Sequence, residues 1–418
     1  MNRVFGDTFA AFQNRDFRIL WAGAFLAFIA FFMSLPVQAV VAFDLSGTNS
    51  GVGWVVAGQG VAQMVLGPFG GALADRLSKR LVIFVCQALI TLSFLGLAVM
   101  LSAGLISVPW LVAGSFMIGA AFSFLGPARQ GLMVELVAPT RRGNAVALSQ
   151  VALNLSRVLA PLIAAAFLAV DVVGAAGAFY LMTGLYLAAM VATYLMPATK
   201  PSGTTRAVLP EIWSGIRYVA RTPRINLLVP SYILTIAVGF TYTAVLPGLV
   251  QNELHRDASQ ITWLLIANAV GGFAASLAVA SRADSARAGV LYTAMCLVFG
   301  LSLLAAGFTP SYWVLMVLML LIGAGGGGFQ TLNGALVSHL TDPAYFGRVV
   351  SLTFLAFAVS SVVALPIGVL ADAIGERNTI AVSGAIVVGI TVLFVAAERA
   401  MRSGAAPEPA ALSSHTGS

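Results

Sequence analysis

Arg157 is the residue whose position most needs a chemical explanation. It follows Asn144 by thirteen residues in an otherwise apolar stretch. At 1.5 Å per residue that is about 20 Å into a helix starting there. A guanidinium at mid-depth in a bilayer costs several kcal/mol unless water, a partner or a ligand meets it. Two uses fit. One is a structural bond to carbonyls or to amides such as Asn154, Gln63 or Gln330. The other is an anchor for an anionic or oxygen-rich small molecule. Gln38, Gln59, Gln63, Asn154, Asn268, Gln330 and Asn333 are further polar groups set singly into apolar runs. Any one such amide is most simply a hydrogen-bonded tie between helices. Together they suffice to line a polar cavity. Asp44, at the outer end of the first apolar run, is the carboxylate chosen for proton coupling, although a surface loop charge is the plainer reading.

Other chemistries lack their residues. The apolar runs hold no Asp or Glu at mid-depth, which disfavours a strictly cationic substrate. The three histidines, His255, His339 and His415, fall in loops or the tail and form no metal set. Cys86 and Cys296 have no metal-ligand spacing and read as packing residues. No phosphate-binding loop is present, so ATP is not expected to drive the protein. No nucleophile is paired with an acid or base, so an enzyme is not expected, nor is a cofactor.

The elements that carry these residues follow from composition. Hydrophobic residues make up 59% and charged residues 9% of the 418, against roughly a quarter charged in a soluble domain. An integral membrane protein is implied. Twelve apolar spans are expected, at about 19–43, 52–74, 81–103, 110–132, 146–170, 175–196, 225–250, 261–280, 290–308, 312–338, 349–371 and 380–397. They divide into an N-terminal six-helix half (1–196), a polar linker (197–224), a C-terminal half (225–398) and a disordered tail (399–418). No cleavable signal peptide is expected. The halves also echo each other. Trp54 and Asp75 recur about 209 residues later as Trp263 and Asp284; Ile118-Gly119, Pro139 and Gly143 recur about 204 later as Ile322-Gly323, Pro343 and Gly347. Duplicated halves place a substrate site between them near mid-membrane.

The net charge is +7, but the bases are clustered beside the spans. They set topology and touch anionic lipid heads, and no nucleic-acid partner is expected. Arg3, Arg15, Arg18, Arg76, Lys79, Arg80, Arg141, Arg142, the linker bases Lys200, Arg206, Arg217, Arg221 and Arg224, then Arg282, Arg287, Arg348, Arg399 and Arg402 fall on one side. Arg256 and Arg377 are the bases opposite. This asymmetry predicts both termini and the linker in the cytoplasm.

The stretch Gly67 to Arg80 reads Gly-Pro-Phe-Gly-Gly-Ala-Leu-Ala-Asp-Arg-Leu-Ser-Lys-Arg. A long apolar run stops there in a glycine-rich turn with one acid and three bases. It resembles the signature between the second and third helices of the major facilitator superfamily, with Gly71, Asp75, Arg76 and Arg80 matching and Ser78 where the family often has glycine. Asn14-Arg15-Asp16-Phe17-Arg18 with Leu20-Trp21, Gly126-Pro127-Ala128-Arg129-Gln130, Glu135-Leu136-Val137, Asn144 to Leu148, and Asn154-Leu155-Ser156-Arg157 resemble the branch containing the enterobactin exporter and macrolide efflux proteins. The second half matches more weakly, through Ser281-Arg282-Ala283-Asp284. Ala160-Pro161 stands where antiporters often carry Gly-Pro.

The resemblance implies an all-α membrane protein of twelve helices in two halves. It implies a secondary transporter of the bacterial cytoplasmic membrane, monomeric, exporting small amphipathic drugs or siderophore-like molecules by alternating access with proton antiport. It further implies that Asp75 bonds to the N-terminus of the eleventh helix near Gly347 when the cytoplasmic side is closed, with Arg76 and Arg129 as the bases beside it. Asp284 would serve the fifth helix near Gly143. Uptake by the same fold, or a membrane sensor, are the alternatives.

Overall fold

The structure, a computed structural model, describes residues 10–404 apart from 139–140, 169, 171–173, 198–207, 258, 283–284, 286 and 343–344. Among the described residues, twelve helical segments are long and apolar enough to cross a membrane, and there are no strands. The chain is a multi-pass membrane protein. Its helices are α1 (Arg15–Ser46), α2 (Asn49–Arg76), α3 (Lys79–Ser102), α4 (Val108–Leu136), α5 (Arg142–Leu168), α6 (Gly174–Tyr194), α7 (Val208–Arg221), α8 (Pro223–Gly239), α9 (Tyr242–Gly248), α10 (Ser259–Ala280), α11 (Ala288–Phe308), α12 (Tyr312–Leu340), α13 (Phe346–Ile374) and α14 (Glu376–Gly404). Most are apolar around their whole circumference, as helices flanked by lipid and by other helices must be.

Two hydrophobic cores form, one per six-helix half. The first gathers Met33, Ile83, Phe94, Ile118, Phe179 and Tyr186. The second gathers Ile236, Leu264, Tyr292, Phe299, Met319 and Phe329. The duplication is visible in the packing. A Cβ at Gly119 would strike the backbone of Gln59, and one at Gly323 would strike the backbone of Asn268. These two contacts are related by the offsets read from the sequence, so the glycines permit the same helix crossing twice.

The segments quoted around α1, α4 and α5 converge at the end of the bundle that carries the linker. Asn14 caps α1, its side-chain oxygen accepting from the backbone N–H of Asp16 (2.8 Å) and Phe17 (3.2 Å). Its amide also donates to the carbonyl of Leu136 at the end of α4. Asn144 accepts from the N–H of Ala11, and the Trp21 indole donates to the carbonyl of Leu148.

Three expectations are revised. The seventh span is not one continuous helix. It breaks between α8 and α9, then continues as a π-helical turn over Leu249–Glu253. Gly239 lies against the Phe299 ring at the break, and Pro247 removes a backbone donor just beyond it. The linker is not merely a polar stretch, since α7 occupies its second half. Val219 is buried, and Tyr218 stacks on Tyr345 at 4.3 Å while its hydroxyl accepts from the N–H of Asp342. Last, α14 runs past the expected boundary at residue 398 to Gly404, carried by the helix-forming Glu398, Arg399, Met401 and Arg402.

Candidate functional site

The halves meet most closely where α2 of the first lies antiparallel to α13 of the second. At the end away from the linker, Asp372 near the C-terminus of α13 caps the N-terminus of α2. Its carboxylate accepts from the backbone N–H of Asn49 at 2.7 Å and of Ser50 at 2.9 Å, and from the Asn49 amide at 3.2 Å. A carboxylate is favoured there by the unpaired N–H groups and the positive end of the helix dipole. Glu376, only 6% exposed, accepts from the Asn49 amide at 3.0 Å and the Asn252 amide at 2.7 Å. Arg377 pairs with Glu253 at 2.9 Å and donates to the Thr309 carbonyl. Asp44 is exposed at this same end and accepts from Gln251 at 3.1 Å. These groups form a latch from α1 and α2 to the π-helical turn after α9, to α13 and to α14.

Below the latch, α2 presents glycines seven residues apart. A Cβ at Gly53 would lie 2.8 Å from the Leu365 backbone, and one at Gly60 would lie 2.5 Å from Ser361 Cβ. Among the described residues, a Cβ at Gly67, two turns further towards the linker, would meet nothing within 4 Å, and the same holds for Gly347 at the start of α13. Phe69 and Phe354 are 50% and 63% exposed. Among the described residues the pair is therefore in close backbone contact at Gly53 and Gly60, and without such contact at Gly67.

Arg157 is exposed on α5, and its guanidinium lies 5.3 Å from the ring centre of Phe32 on α1. It is within electrostatic range of Tyr232 on α8, in the opposite half. Arg129 on α4 lies over Phe28, one turn along α1, at 4.0 Å. The structure thus sets Arg129 against α1 within the first half. Among the described residues neither guanidinium has a hydrogen bond or an ion pair.

The amides divide. Gln38 is buried and accepts from the Ser115 hydroxyl at 2.6 Å. Asn268 donates to the Met319 carbonyl at 3.2 Å, and Gln330 to the Gly326 carbonyl of its own helix. Those three bonds stay within one half. Gln59 is buried and Gln63 half-buried on α2. Asn333 is buried with its side-chain oxygen unpartnered among the described residues.

Arg76 is exposed at the end of α2. Arg80 lies beside the Tyr194 ring and donates to the Tyr194 carbonyl, at the negative end of α6. Lys79 is buried and paired with Glu135 at the end of α4. The bases of this run thus tie α3 to α4 and α6. The side chains of Gly71, Asp75 and Asn154 lie outside the described residues, as does the whole of Asp284.

Asp372 and Glu376 escape a reading from sequence alone, because they look like ordinary loop charges between two spans. A signal exists nonetheless. Leu370-Ala371-Asp372 repeats Leu73-Ala74-Asp75 at the end of another apolar run.

The profile of a family described as transmembrane secretion effector matches residues 6–411. Over 81 residues the chain is 37% identical to quinolone resistance protein NorA of Staphylococcus aureus; that stretch is 19% of this chain and 21% of NorA, so the match spans about a fifth of that relative. It is 28% identical over 254 residues to multidrug resistance protein MdtH of Salmonella paratyphi C, covering 57% of each. In fold it is similar to a bacterial homolog of the human lysosomal transporter Spinster, with a TM-score of 0.74 at 13% identity over 94% of this chain and 98% of that one.

Proposed function

The chain belongs to the transmembrane secretion effector family of the major facilitator superfamily, and from that premise we propose that it exports small amphipathic molecules by alternating access. It is a membrane transporter, not an enzyme. The observation that carries the reading is the α2–α13 pair, packed at Gly53 and Gly60 and open by Gly67. A pair closed at one end only, with the exposed Arg157 beside the interface, is what one state of an alternating-access carrier requires. The resistance phenotypes in the names of NorA and MdtH support outward movement of drug-like compounds.

In this reading residues 1–196 and 225–398 rock against each other about the linker, which lies in the cytoplasm with both termini. The linker end faces the bacterial cytoplasm, so the state described accepts substrate from inside. Gly71, Asp75, Arg76, Arg80 and Asp284 belong to the linker-end gate, while Arg129, set over Phe28 of α1, belongs with the cavity. Arg157, Asn154, Gln63 and the other mid-span amides belong to the cavity. A proton enters in exchange, with Asp44 as its carboxylate at the opposite end.

Uptake into inside-out membrane vesicles tests this directly. An imposed inward-acid gradient is expected to drive accumulation of a fluorescent quinolone, an aromatic amphiphile that carries a carboxylate, and Asp44→Asn is expected to lose the dependence on the gradient. Equal flux in vesicles lacking the protein would sink the proposal. Orientation has its own check. A cysteine at Ser202 should resist an impermeant thiol reagent in intact cells while one at Ser311 is labelled; the reverse pattern would invert the topology.

A further inference from the structure

We infer that Arg129 and Arg157 are the two poles of one binding site for anionic aromatic amphiphiles, built along α1. The inference deepens the export reading and rests on it only for the direction of transport.

Phe28 and Phe32 are one helical turn apart, with ring centres 6.5 Å apart and planes within 29°. Phe31 stands beside them and stacks on Phe122 of α4 at 4.3 Å. The two guanidiniums cap this aromatic wall, Arg129 over Phe28 and Arg157 over Phe32. A guanidinium held face-on to a ring satisfies its charge in part. Its N–H edge stays unused, and that planar fork is the shape that grips a carboxylate or similar oxyanion with paired bonds. Here two such edges go without a hydrogen bond or an ion pair among the described residues. The sequence supplies no mid-depth carboxylate to neutralise either. Two guanidiniums inside membrane-spanning helices without an anionic partner among the described residues are expensive, and a hydrated cavity with a transient anion is the arrangement that makes them useful.

The opposite half sharpens the point. At the offset of 204 residues that relates α4 to α12 and α5 to α13, the positions of Arg129 and Arg157 are held by Asn333 and Ser361. Neither carries charge. Ser361 packs against Gly60 of α2 at the seam between the halves, so the matching Arg157 also belongs to a seam position. Duplication alone therefore does not account for the arginines. They are a property of one half, as expected of a binding site and not of a repeated structural tie.

The test uses two dyes with the same xanthene ring and opposite charge. Carboxyfluorescein and rhodamine 123 are titrated against the purified full chain in nanodiscs, and binding is read by anisotropy. The parent is expected to bind carboxyfluorescein at least about tenfold more tightly than rhodamine 123. Arg129→Gln and Arg157→Gln are each expected to lose about tenfold or more for carboxyfluorescein and to leave rhodamine 123 unchanged or tighter. The lysine variants should recover part of the loss. If Arg129→Gln does not fold, Arg129→Lys decides: it must weaken the anionic dye alone. Equal binding of both dyes by the parent, or an equal loss for both dyes in the variants, overturns the site. Absence of gradient-driven quinolone accumulation with the anion preference intact counts against the export reading alone.

Discussion

The two ends of the α2–α13 pair are built alike and stand in opposite conditions. Each helix finishes in Leu-Ala-Asp, ending at Asp75 on α2 and at Asp372 on α13. Because the helices are antiparallel, each aspartate is placed in the last turn of its helix, at the end where the other helix begins. At the latched end Asp372 makes that contact with Asn49 and Ser50. At the linker end, among the described residues, nothing lies within 4 Å of where a Cβ on Gly347 would stand; the Asp75 side chain is outside the described residues. We assign Asp75 the reciprocal contact in the other state. On that proposal one helix pair carries both gates. A rocking motion that seats one aspartate on its helix terminus would withdraw the other, so the two caps would compete.

The glycine stripe gives the strongest way to break this picture. Gly60→Val places a side chain into Ser361 and into the Ala358 and Val362 backbone. Overpacking of that kind costs about 1–3 kcal/mol. The expected result is a lower melting temperature and a pair driven apart at the latched end. Gly67→Val adds a side chain where nothing lies within 4 Å. Its melting temperature should match the parent, yet transport should stall because the linker end can no longer close. Equal stability losses in both variants would show that the stripe is ordinary packing.

A smaller effect is expected at the latch. Asp372→Asn keeps the shape but removes the charge from an exposed helix cap, a change worth about 0.5–1 kcal/mol. That shifts the balance of the two states by a few fold. Spin labels at Thr48→Cys and Asn378→Cys, both beside the latch, should report a larger share of separated distances. An unchanged distribution would mean that Glu376 and the Arg377–Glu253 pair hold the end without Asp372.

Much of this was legible in the residues themselves. Twelve spans follow from apolar runs broken by charges, and the 204-residue offset reappears in the crossings at Gly119 and Gly323. Asn14 and Asn144 sit where their motifs put them because each finishes a helix end or a chain turn. Other features were not legible. Helices that are apolar all round give no periodic signal of which face meets which neighbour. Hence the place of Arg129 over Phe28 could not be read, nor could the bond of Gln38 to Ser115. The break before Tyr242 was hidden because Gly239 matters only through the Phe299 ring, sixty residues away. Asp372 was hidden because its partners are backbone N–H groups, which every sequence has.

The smallest stability effect, and the most discriminating, belongs to Asp75→Asn. If its cap forms only when the linker end is closed, the charge does nothing for the state described here. Its removal should leave the unfolding free energy within about 0.5 kcal/mol of the parent's, the range of a substitution that breaks no native contact. Transport should nevertheless slow, because the other state loses a cap worth about 0.5–1 kcal/mol. The double variant Asp75→Asn with Asp372→Asn then becomes decisive. Competing caps predict that the second change returns the spin-label distribution towards the parent, since each state has lost one charge of similar worth. Independent roles predict that the double variant keeps the distribution of Asp372→Asn alone. That second outcome would separate the two ends and leave the shared Leu-Ala-Asp ending without mechanical meaning.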